Sequence, residues 1–112
     1  MINFEDLLET FDKNTIDELI DLAYESINTN IKLIEEGLDE KNMGKIFRGC
    51  HSLKGLEFMG LKEIIKISKK LVKLSRNISY ENLNIKKFEK NYIILKTEGE
   101  LFRDWFKLYK ST

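Results

Sequence analysis

The chain reads as an all-α protein, an up-down four-helix bundle with a short additional N-terminal helix, built as a single domain over residues 1–112. Three observations predict it. Proline is absent and only six glycines occur, so nothing forbids long helices and little marks the frequent turns of a β protein. Apolar residues recur three and four apart along most of the chain, the period of a half-buried helix. Four such stripes separated by short connections suit an up-down bundle, and 112 residues suffice for one core and not for two.

The elements follow in order. Phe4, Leu7, Leu8 and Phe11 form a short amphipathic opening. Thr15 is placed to cap the next helix, with Glu18 three residues on completing a capping box. Ile16, Leu19, Ile20, Ala23, Ile27, Ile31 and Ile34 then mark one long helix, and Gly37 is expected to stop it in a left-handed conformation. Asn42 caps a second helix expected to run to about Met59, carrying Ile46, Cys50, Leu53 and Leu56 on one side, with Gly60 as its breaker. A third helix spans Leu61 to Leu74 and ends near the Asn77 to Glu81 turn. The last begins near Asn82 or Asn84 and carries Phe88, Tyr92, Leu95, Phe102, Phe106 and Tyr109.

Composition narrows the function. Hydrophobic residues at 42% and charged residues at 34% describe a soluble globular chain, expected in the cytoplasm because neither a membrane span nor a signal peptide is apparent. One cysteine excludes an intrachain disulfide, and one cysteine with one histidine cannot close a zinc site. The formal net charge of zero gives no general case for nucleic-acid binding. The charges are nevertheless sorted. Glu5 to Glu40 is acidic, whereas Lys62, Lys66, Lys69, Lys70, Lys73 and Arg76 are countered only by Glu63. The plain reading of that basic run is a solvated face paired with acidic neighbours in the same bundle.

The second helix holds Gly44, Gly49 and Gly55, each costing about 0.8–1.0 kcal/mol against alanine where helix-interior. Such a cost calls for a steric reason. Gly55 falls four residues after His51 and Lys54 three, so both share its face. Histidine offers a neutral nucleophilic ring nitrogen near neutral pH, an adjacent ammonium offsets the charge of a phosphoryl group on that ring, and a missing side chain admits another protein. If Ile46, Cys50 and Leu53 face the core, the imidazole faces solvent. Cys50 itself reads as a buried packing residue.

The run Ile46-Phe47-Arg48-Gly49-Cys50-His51-Ser52-Leu53-Lys54-Gly55 resembles the phosphorylation-site motif of histidine-containing phosphotransfer (HPt) domains. The layout is similar over almost the whole chain: a short helix, a long acidic one, an Asn cap nine residues before the histidine, then two more helices. The resemblance implies that His51 accepts the phosphoryl group, Lys54 stabilises its charge and Gly55 belongs to the receiver-docking surface. One departure stands out. The family places a glycine ten residues after the histidine, whereas Met59-Gly60 arrives one residue early, and Leu56, Glu57 and Phe58 fill a stretch the family keeps small.

The expected function is therefore a phosphocarrier of a two-component phosphorelay, exchanging a phosphoryl group between His51 and receiver-domain aspartates. It is expected not to be an enzyme: without a nucleotide-binding motif it is loaded by a separate hybrid sensor kinase. No cofactor is expected, magnesium belonging to the receiver, and a monomer is expected because a bundle that buries its stripes internally need not dimerise. The alternative is an HPt-like interaction module that binds a receiver or helical partner through Phe47, Arg48 and Phe58 without phosphorylation. A haem- or ligand-holding bundle is disfavoured, since His51 has no facing histidine.

Overall fold

Wherever apolar residues recur three and four apart, the chain winds into helix. The computed structural model describes residues 2–111, which form α1 (Phe4–Thr10), α2 (Lys13–Glu40), α3 (Met43–Lys54), α4 (Lys62–Ser75) and α5 (Ile85–Lys110). Short 3-10 turns at Glu57–Met59 and Tyr80–Asn82 link the later helices. No strand occurs among the described residues.

The helix ends show local chemistry competing with tertiary packing. α2 starts one turn before the expected Thr15 cap, because the Asp12 carboxylate accepts the Thr15 backbone N–H at 2.8 Å. It also runs past Gly37. Lys41 takes the left-handed turn instead, at φ 55°, while Gly37 lies buried inside α2. A Cβ at Gly37 would stand 2.7 Å from Ile46 Cγ1 and 2.9 Å from the Ile46 backbone nitrogen, so its missing side chain serves contact with α3. The Asn42 side chain accepts the Lys45 N–H, capping α3 as its sequence predicts, and of the two candidates for α5 it is Asn84 that caps, accepting the Lys87 N–H. α3 stops at Lys54, short of the expected Met59. The next residues tighten into a 3-10 turn that Gly60 closes at φ 75°, a backbone conformation glycine adopts without steric cost.

α2 packs on α3, α3 on α4, α4 on α5 and α5 back on α2, while α1 lies against α2. The shared core includes Ile20, Ile27, Ile34, Ile46, Leu53 and Phe88, all fully buried. Each such side chain contributes roughly 1.5–3 kcal/mol relative to exposure. Buried hydroxyls are satisfied within their own helix, Ser68 and Ser75 donating to the Ile64 and Leu71 carbonyls at 2.7 Å. α1 is fastened by aromatic contact, with the Phe4 ring 6.1 Å from Trp105 and 5.9 Å from Tyr109 between centroids. Among the described residues no helix is long and apolar enough to cross a membrane.

Candidate functional site

The roll of α3 is set by what it buries. Ile46, Gly49, Cys50 and Leu53 point inward. Gly49 brings the α3 backbone directly onto α2, since a Cβ there would sit 2.6 Å from Ile34 Cγ1 and 2.9 Å from the Asn30 carbonyl oxygen. The steric reason for this glycine is therefore helix packing and not access to His51. With that side fixed, Gly44, Phe47, Arg48, His51, Lys54 and Gly55 occupy the opposite arc of about 120°.

His51 is exposed on the last turns of α3. Neither ring nitrogen hydrogen-bonds to another described residue, so the nucleophilic nitrogen is uncommitted. The half-buried Phe47 ring stands one turn before it, 5.5 Å away between centroids and tilted by 30°. Arg48 is held along the helix surface, its Nε donating to the Gly44 carbonyl at 3.2 Å. Lys54 is half-buried and makes no ion pair among the described residues. Lys54 also belongs to the last turn of α3, where the carbonyl end of the helix favours a cation.

The remaining glycines of α3 differ from Gly49. Gly55 terminates the helix with ordinary right-handed angles, and an added Cβ would approach only the Ser52 carbonyl of its own turn, at 3.2 Å. Gly44, in the first turn, would place a Cβ near nothing but the Asn42 side chain. Neither is required by packing against another helix, and both lie on the His51 face. Gly44 is a feature that sequence reasoning did not assign there, although its spacing of seven from His51 carries the signal. Phe58 sits beyond the helix, on the 3-10 turn, with 53% of its surface exposed.

Cys50, beside His51 in sequence, faces the core. Burial pushes its thiol up to about 12, opposed in part by hydrogen bonding that involves Ser75, so the thiolate needed for nucleophilic chemistry is scarce at neutral pH. The described residues contain no group of three or more His, Cys, Asp and Glu side chains placed to hold a metal.

The neighbouring helix α4 carries a cationic face. Lys62, Lys66, Lys69, Lys70, Lys73 and Arg76 are all exposed on one side of α4 and just beyond its end. Of these, only Lys69 forms an ion pair among the described residues, with Glu57 at 3.1 Å. The expected neutralisation within the bundle is confined, among the described residues, to that pair, because α2, which carries more carboxylates than any other helix, packs on α3 and α5 and lies across the ring from α4; its ion pairs go to Lys45, Lys96 and Lys110. Clefts of about 560, 350 and 300 Å³ open on the surface, and none of them is lined by His51. An imidazole on open helix surface suits a macromolecular partner better than an enclosed small ligand.

Comparison of the chain with protein-family models, curated proteins and solved structures gives no match.

Proposed function

We propose that the protein is an HPt-type phosphocarrier, and we read the ring of α2, α3, α4 and α5 as an up-down four-helix bundle with α1 as its extra helix. One observation carries the reading: an exposed imidazole with uncommitted nitrogens shares its helix face with a lysine three residues on that has no ion pair among the described residues and a glycine four residues on that no other helix crowds. In the transfer step a His51 ring nitrogen attacks the phosphorus of a receiver acyl phosphate. A P–N bond forms, the P–O bond to the aspartate breaks, and the carboxylate leaves with the electron pair. Lys54 lies near enough along the helix to offset charge on the transferred group, and Phe47 walls the ring on the preceding turn. Gly55 and Gly44 leave room for a partner's loops to approach. The divalent cation belongs to the receiver in this reading, as the resemblance implies.

The uncountered cations of α4 support an acidic partner, since a one-signed face steers encounter and accelerates association. The exposed Phe58, on a turn that departs from the HPt pattern, favours the second reading, docking without transfer. Incubating the protein with radiolabelled phospho-receivers distinguishes the two. Acid-labile, base-stable label is expected on the wild-type chain and absent from His51→Ala at unchanged helical content. Label that survives in His51→Ala refutes the carrier reading, and receiver binding without any label establishes the docking one.

A further inference from the structure

α5 is apolar on two sides. Phe88, Tyr92, Leu95 and Phe102 enter the core. On the other side Ile93, Leu101 and Leu108 are 63%, 50% and 71% exposed, with Ile94 beside them at 42%. At 3.6 residues per turn these four, with Lys90, Thr97 and Asp104, fall within an arc of about 100° opposite the core face. The expectation of a monomer assumed that every apolar stripe is buried internally, and this one is not. A helix with apolar residues on both sides is characteristic of one covered on both.

The order of residues along this strip indicates what covers it. Ile93 and Leu101 each lie four residues from Thr97, and Lys90 and Asp104 each lie seven. A second α5 laid end for end across the first at Thr97 would bring Ile93 of each copy onto Leu101 of the other. It would also bring Lys90 of each onto Asp104 of the other. Ile93 and Leu101 meet about the centre and opposite charges meet one turn further out, while the same operation sets Ile94 beside Glu100 and Leu108 beside Lys86 of the other copy. Neither Lys90 nor Asp104 has an ion-pair partner among the described residues. A formal net charge of zero leaves no overall repulsion between copies.

We infer that the outer face of α5 is a self-complementary docking surface whose occupant is a second copy of this chain, antiparallel about a two-fold axis near Thr97. The contact is isologous, so each pair is made twice and the assembly closes at two. α5 contacts α2 and α4 and lies across the ring from α3, so the dimer leaves both His51 faces open. The inference stands independently of phosphotransfer. The strip from Lys90 to Leu108 is about 27 Å long, and one helix pair covers less than the roughly 800 Å² per partner of a standard interface, the size range of weak, transient association.

Sedimentation velocity over about 5 to 500 µM protein tests it, a range in which a dimer with a Kd of tens of micromolar passes from mostly monomer to mostly dimer. The apparent mass is expected to rise from 13.3 kDa toward twice that. Leu101→Glu is expected to weaken association at least tenfold, since it places a charge in the apolar centre. Lys90→Glu and Asp104→Lys alone each set like charges against one another and are expected to weaken it by roughly tenfold. An equimolar mixture of the two variants pairs opposite charges at both contacts and is expected to recover wild-type association. All three positions are exposed, and circular dichroism verifies that each variant folds. A monomer at every concentration overturns the inference, as does a dimer indifferent to Leu101→Glu or a mixture that associates no better than its separate components.

Discussion

Gly49→Ala is the sharpest test of how α3 is oriented. The new Cβ would lie 2.6 Å from Ile34 Cγ1 and 2.9 Å from the Asn30 carbonyl oxygen, against the 3.5–4.0 Å of a relaxed carbon contact. Ile34 is fully buried and cannot swing aside freely, and the carbonyl belongs to the α2 backbone. Overpacking of this kind costs about 1–3 kcal/mol, with the upper end apt where backbone must shift. Alanine returns about 1 kcal/mol of helix propensity in a helix interior. The net loss is therefore about 2 kcal/mol, or roughly 8 °C in Tm for a domain of this size. Urea denaturation followed by far-UV circular dichroism measures it, and an unchanged slope with a lower midpoint identifies a pure stability effect. A variant as stable as wild type would refute the close α2–α3 approach and, with it, the argument that turns His51 outward.

Three further outcomes are expected. Gly55→Gln is expected to leave the unfolding free energy within about 0.5 kcal/mol of wild type while slowing phosphoryl transfer from a receiver; equal rates would remove Gly55 from the docking face. Cys50 is expected to resist thiol reagents in the native protein at neutral pH and to react rapidly once urea unfolds it, as measured by absorbance during reagent release; rapid native labelling would contradict its burial. Asp12, whose carboxyl is held below its usual value by hydrogen bonding from Thr15, stabilises the charged form in the folded chain. That contribution is complete above the ordinary aspartate range and is lost as pH falls through the depressed folded value. Asp12→Asn keeps an acceptor without the titration and is expected to flatten that part of the acid unfolding curve.

The fold class and the helix stripes were legible because burial repeats with helical period: the predicted inward positions of α2 are buried from Ile16 to Ile34, with Leu19 half-buried among them. The cap at Asn42 was legible because a short polar side chain there immediately precedes the helix, and that of α5 was narrowed to Asn82 or Asn84, of which Asn84 caps it. The ends of α2 were not. Lys13 and Asn14 carry no apolar signal, so periodicity missed the first turn that Asp12 initiates. Gly37 has the composition of a stop, yet its absent side chain serves Ile46 across the helix pair, a tertiary demand invisible along one helix. The end of α3 was misplaced for a related reason, since Leu56 and Met59 are buried whether the backbone there is α-helical or 3-10. At the candidate site, the outward face of His51 followed from the inward set Ile46, Cys50 and Leu53. The contrast between Gly49, which packing requires, and Gly44 and Gly55, which it does not, needed coordinates. The exposed side of α5 was likewise hidden, because its core residues account for the periodic pattern on their own.

The unequal helix lengths carry a consequence of their own. α2 and α5 span 28 and 26 residues, whereas α3 and α4 span 12 and 14. The long pair must overhang the short one, and the overhang is roofed by α1 through Phe4, Trp105 and Tyr109 and by the stacked rings of Tyr24 and Phe106. The sole tryptophan thus sits in this gable, so its fluorescence gives a native optical gauge of α1 lifting away that requires no label. Amide exchange in α1, which packs only lightly on α2, is expected to run faster than along α3, so that one end of the protein breathes while the imidazole keeps its bearing.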